Sequence, residues 1–163
     1  MRWQGDSEKW ILGRLGELRD PAAAGALFKQ LARNPLYRIS SNLRSTLSAI
    51  GGQAVEAGAL KLLDHAEINV RRAAVNLLVD VQKEKARPLL RRMVEQPWDA
   101  KTPWGDKLEA INLLSNVGKP EDLPLLLPVT DFWNKGTFSD DALSAVANIR
   151  YRFNYDVNGP IHP

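Results

Sequence analysis

Arg87 and Arg91 stand four residues apart, the spacing that sets two guanidiniums on one side of an α-helix. Arg71 and Arg72 lie a short way upstream. Clustered cations of this kind attract carboxylates, phosphates or an acidic stretch of another protein. Residues 68–96 hold seven Lys/Arg against three Asp/Glu, whereas 97–163 hold six against nine. The formal charge of +3 is therefore polarised along the chain, with a basic middle and an acidic C-terminal part. Glu84 and Glu95 fall within a turn of the arginines, so a solvated, salt-bridged face is the competing reading. Just beyond lies QPWDAKTPWG, where Pro and Gly break the helical rhythm and project Trp98 and Trp104. Tryptophan is enriched among residues that carry binding energy, which makes both rings candidate anchors for a partner. Alternatively, they fold back and fill space over the neighbouring helices.

Other chemistry finds little support. Without cysteine there is no disulfide, thiolate nucleophile or Cys-based zinc site. The two histidines, His65 and His162, are far apart, and a metal needs three or four convergent ligands. Asp64, His65 and Glu67 cluster at a predicted helix end, where they solvate the terminus. Glu121-Asp122 and Asp140-Asp141 fall in first helical turns, where negative charge complements the helix dipole, a simpler role than general acid–base work. Gly51-Gly52 ends a helix and opens no phosphate cradle, and no nucleophile elbow or dinucleotide fingerprint occurs. The expectation is a chain with no catalytic residue, no cofactor and no metal. No stretch approaches the ~18 apolar residues of a membrane span, and MRWQGDSEKW lacks the apolar centre of a secretory signal. A cytoplasmic location without membrane partners is the corresponding expectation.

The elements that must position these residues are helices with a long period. Apolar helical stretches end at Leu15-Gly16, Ile50-Gly51, Val81-Gln82 and Val117-Gly118, and a last one passes Ile149, at intervals of 31 to 36 residues. Val70, Ala73, Ala74, Leu77, Leu78 and Val81 follow the i, i+3, i+4, i+7 pattern of one helical face. The first helix is expected to open after Gly5 and to bury Ile11, Leu12, Leu15 and Leu18. Asp20-Pro21 marks the restart, Asp as cap and Pro at the first helical position. The fourth unit resumes at Asp106, and Pro124 and Pro128 predict a short or kinked partner helix. Trp3 and Trp10 are expected to close the exposed end of the first repeat, and Trp133 falls in a second irregular stretch, DFWNKGTF. Period-2 alternation is nowhere sustained, so the fold class is all-α.

The stretches LGELRDPAAAGALFKQL (15–31), AIGGQAVEAGALKLL (49–63), NVRRAAVNLLVDV (69–81) and LLSNVGKPEDLPLLL (113–127) resemble the HEAT-like repeat family. The resemblance implies a right-handed α–α superhelix of about four to five helix pairs. It would be one domain over residues 1–163, with an irregular insertion at 96–105 and a frayed tail at 158–163. It further implies that the second helices line a concave surface, which would place Arg87 and Arg91 on a groove. The expected function is a non-catalytic scaffold binding another protein through that face and the 96–105 loop. Arg71, Arg72, Arg87, Arg91, Trp98 and Trp104 are the expected contacts. Two other family members set alternatives. One is nucleic-acid binding or DNA repair through the basic patch; the other is tetrapyrrole handling. The family's iron-dependent hydroxylase carries His-Glu pairs, but here Ala66 follows His65 and Pro163 follows His162, so that activity is not implied.

Overall fold

Helix follows helix through residues 3–33, 37–96, 104–132 and 137–153, the part of the chain described by a computed structural model, and no strand occurs among them. The described helices group into two compact units, residues 1–82 and 83–163. The division falls within the third expected helix pair, after its first helix.

The first unit contains α1 (Trp3–Leu18), α2 (Ala24–Arg33), α3 (Tyr37–Ile50), α4 (Gly52–Leu62) and α5 (Ile68–Gln82). Asp20 caps a short 3-10 turn, Pro21–Ala23, its carboxylate accepting from the Ala22 amide at 2.9 Å. Gly51 and Gly52, both at positive φ (64° and 76°), turn the chain between α3 and α4 where a side chain would strain it. Helices α3 and α4 both pack on α5. That flanking explains why α5 buries Val75 and Val79 in addition to the predicted Val70, Ala73, Ala74, Leu77 and Leu78, while Val81, predicted on the same face, is only half-buried near the helix end. Close approach of α1 and α3 relies on Gly16, where an added Cβ would lie 3.4 Å from the Ala49 methyl. Between the same helices the Thr46 hydroxyl sits 3.2 Å from the Leu12 carbonyl.

Helix α1 departs from expectation. It begins at Trp3, ahead of Gly5, and of its predicted face only Leu12 is buried, with Leu15 half-buried. Ile11 and Leu18 are exposed, as is Trp10, which therefore does not close the end of the core. The main neighbour of α1 is α3, and one neighbour covers only a narrow stripe of a helix.

The second unit contains α6 (Arg87–Glu95), α7 (Trp104–Val117), α8 (Leu123–Phe132) and α9 (Thr137–Arg152). Helix α6 packs on α7 and α8, and α9 packs on the same two. Leu90, Ile111, Leu114, Leu126 and Ile149 are fully buried at their centre. Helix α7 opens two residues before the predicted Asp106. Helix α8 is short, as its prolines predict, ten residues against 14 in α7 and 16 in α9, and it keeps Pro128 inside it. Pro124 and Pro128 are both exposed, so water can serve the carbonyl that the missing amide of Pro128 leaves unpaired. Lys107 is buried, its ammonium donating to the carbonyls of Val94 (3.4 Å) and Gln96 where α6 ends. A helix C-terminus leaves such carbonyls unpaired, and a cation there also complements the dipole. Residues 97–103 of the expected insertion, Trp133 and the tail 158–163 lie outside the described residues. No described helix is long and apolar enough to cross a membrane.

Candidate functional site

The candidate site grows from one buried carboxylate. The segment Lys119-Pro120-Glu121-Asp122 opens a 3-10 turn, Pro120–Asp122, ahead of α8. Asp122 folds back to accept from the Lys119 amide at 2.8 Å, which satisfies one of the donors a helix start leaves free. In that position the Asp122 side chain is 0% exposed. A buried carboxylate requires compensation, and α6 supplies it. Arg87 donates from Nε at 2.6 Å and Arg91 from Nη1 at 2.7 Å, one to each carboxylate oxygen. Arg87 Nη2 also reaches Glu121 at 2.9 Å, and Arg91 Nη1 lies 3.2 Å from the Glu121 carbonyl.

Burial by itself would push the Asp122 carboxyl up. The hydrogen bonds from Arg87 and from the Lys119 amide, with the charges of Arg87 and Arg91, outweigh it and hold the group below the ordinary carboxylate range. The hydrogen bond to Asp122 in turn raises Arg87. The two arginines are thereby held in fixed geometry, and side chains already immobilised lose less freedom on meeting a ligand.

The solvent side of α6 borders a groove of about 540 Å³. Lys85, Arg87, Arg91, Arg92 and Lys119 line it, against Glu84 and Glu95. Pro88 in the first turn of α6 lends its φ to the helix start, and Leu90 and Val94 bury the opposite face. Lys119 pairs with Glu84 at 2.8 Å, and this hydrogen bond, with the lysine's charge, lowers the Glu84 carboxyl. Arg91 lies 3.7 Å from Glu95. Asp122 and Glu121 offset much of the charge of Arg87 and Arg91, and Glu84 that of Lys119, so the positive excess of the groove rests chiefly on Lys85 and Arg92.

The expected contacts are thus distributed unequally. Arg87 and Arg91 meet in this groove as their spacing predicts. Arg71 and Arg72 belong to the first unit, where Arg71 Nη1 donates to the carbonyls of His65 (2.7 Å) and Ala66 (2.8 Å) and fixes the turn before α5. Trp98 lies outside the described residues; Trp104 opens α7, with its ring outside the described part. His65 Nδ1 accepts from the Glu67 amide at 3.1 Å, a turn-forming role. Among the described residues no three His, Cys, Asp or Glu gather to hold a metal ion.

Sequence reasoning treated Glu121-Asp122 as dipole partners and missed Asp122 as the hub of the arginines. The available signal was the likeness of Lys119-Pro120-Glu121-Asp122 to Asp20-Pro21, two helix-opening phrases, with a pair of arginines one repeat earlier. It also missed Lys85, Arg92 and Lys119 as groove residues. No family model, no curated protein and no solved structure matches this chain.

Proposed function

We propose that this protein is a HEAT-like repeat scaffold, a right-handed superhelix of helix pairs that binds an acidic segment of another protein in the groove along α6. The observation that carries this reading is that groove: five cations over about 540 Å³, two of them held in place by a buried carboxylate. Preset guanidiniums recognise carboxylates with little loss of freedom, and the surrounding charges steer an anionic chain inward. The 96–105 segment follows α6 directly, which places Trp98 and Trp104 near in sequence as apolar anchors for the same partner. A cytoplasmic setting fits the cysteine-free composition.

Arg87 and Arg91 hold Asp122, so their removal would perturb the fold together with the surface. The informative variant is Lys85→Glu/Arg92→Glu, which reverses charge at two lining residues that take no part in holding Asp122. Binding of a fluorescent twelve-residue Asp/Glu-rich peptide, followed by anisotropy, is expected to weaken at least tenfold in this variant. It should also weaken steeply as salt rises from 50 to 300 mM. An affinity equal to that of the parent protein, with the helical spectrum intact, sinks the reading. Duplex DNA is the competing ligand, and a groove with so few net charges should hold it weakly at low salt and lose it at 150 mM. Duplex binding that survives physiological salt would favour the nucleic-acid alternative.

A further inference from the structure

Helix α1 carries a second surface that the core does not use. Trp10, Ile11 and Leu18 are 68%, 52% and 67% exposed. At 100° per residue these three positions, with Arg14 and Glu17, fall within an arc of about 120°. The buried side of the helix, marked by Leu12 and Gly16, faces the other way, toward α3. Single exposed apolar residues are ordinary, but three large ones sharing one helical face form a patch of the kind that marks an interaction site.

The charge pattern on that face selects its occupant. Arg14 and Glu17 pair within the helix, both more than half exposed, between the apolar residues at either end of the patch. An antiparallel arrangement of two such helices sets Ile11 of one copy opposite Leu18 of the other when the two-fold axis passes between residues 14 and 15. It also brings Arg14 of each copy within reach of Glu17 of its mate. The face is thus self-complementary in both apolarity and charge, which is what an isologous interface requires.

We infer that α1 is a homodimerisation surface, joining two copies of this chain in antiparallel fashion through Trp10, Ile11 and Leu18 with crossed Arg14–Glu17 pairs. The three side chains offer on the order of 350 Å² per copy, counting the tryptophan at the usual aromatic payload. Standard interfaces bury about 800 Å² per partner, so the dimer is weak, with a Kd on the order of 10–100 µM. This surface belongs to the first unit and owes nothing to the α6 groove.

Sedimentation velocity from 5 to 500 µM tests it. The parent protein should pass from monomer to dimer over that range, and Trp10→Ala/Leu18→Ala should stay monomeric with an unchanged helical spectrum. Arg14→Glu and Glu17→Arg should each weaken self-association at least fivefold, through like charges facing across the axis. An equimolar mixture of those two variants should recover the dimer, because one then presents only acid and the other only base. A parent protein that stays monomeric at 500 µM overturns the inference. So does association that passes beyond two copies and disappears in Tyr151→Ala, since α9 would then be the second half of a head-to-tail contact. Failure of the charge-swapped mixture to associate equally overturns the antiparallel pairing.

Discussion

At the scale of single residues, Asp122 is the buried carboxylate on which both α6 arginines converge. Its carboxylate is out of water, and two guanidiniums and an amide replace the solvent. Asp122→Asn should therefore destabilise the protein by about 2–4 kcal/mol, since it removes the buried counter-charge that Arg87 and Arg91 share and leaves only the exposed Glu121 and Glu95 beside them. Arg92→Ala, at an exposed position, should cost under about 0.5 kcal/mol. Because the folded-state pKa of Asp122 lies below its ordinary 3.8, the carboxylate's contribution is fully present above that value. It is lost as pH falls through the depressed folded value. Urea denaturation of the parent and Asp122→Asn should accordingly differ by the same amount at pH 7 and pH 5. The gap should shrink at pH 3 and below, and a gap that widened toward acid would contradict the sign of the shift.

Elements are set by their ends. Gly51 has φ 64° and ψ −163°, a region that residues with a Cβ scarcely enter. Gly51→Ala should cost about 1–3 kcal/mol in thermal or urea unfolding. Lys83 also sits at positive φ, 55°, just past the end of α5, without the freedom glycine has there. Lys83→Gly should be neutral or stabilise by up to about 1 kcal/mol, the opposite sign from the first substitution. The turns at Gly51-Gly52 and Asp20-Pro21 were visible as sequence, because glycine pairs and Asp-Pro are chemical punctuation. The shortness of α8 was legible too, from Pro124 and Pro128, whereas the placing of both prolines on the exposed side of the helix was not, because that side is chosen by α6 and α9.

For the molecule as a whole, two apolar cores lie on either side of residue 82. Amide exchange measured by mass spectrometry should register this after Asp122→Asn. Protection is expected to drop across α6 to α9, while α3, α4 and α5 keep theirs. Equal loss in both halves would mean that the two cores unfold as one. The sequence by itself determined that the described residues are helical without strands, where α3, α5 and α7 stop, and that Arg87 and Arg91 share a face. Those properties follow from local periodicity, capping chemistry and spacing, which need no distant partner. Only the tertiary structure decided that Asp122 lies beneath those arginines, that Arg71 is spent on a turn, and that Trp10, Ile11 and Leu18 stay in water. Burial and pairing depend on which helices become neighbours, and residues 31 to 35 apart in sequence meet only when helix packing brings them together.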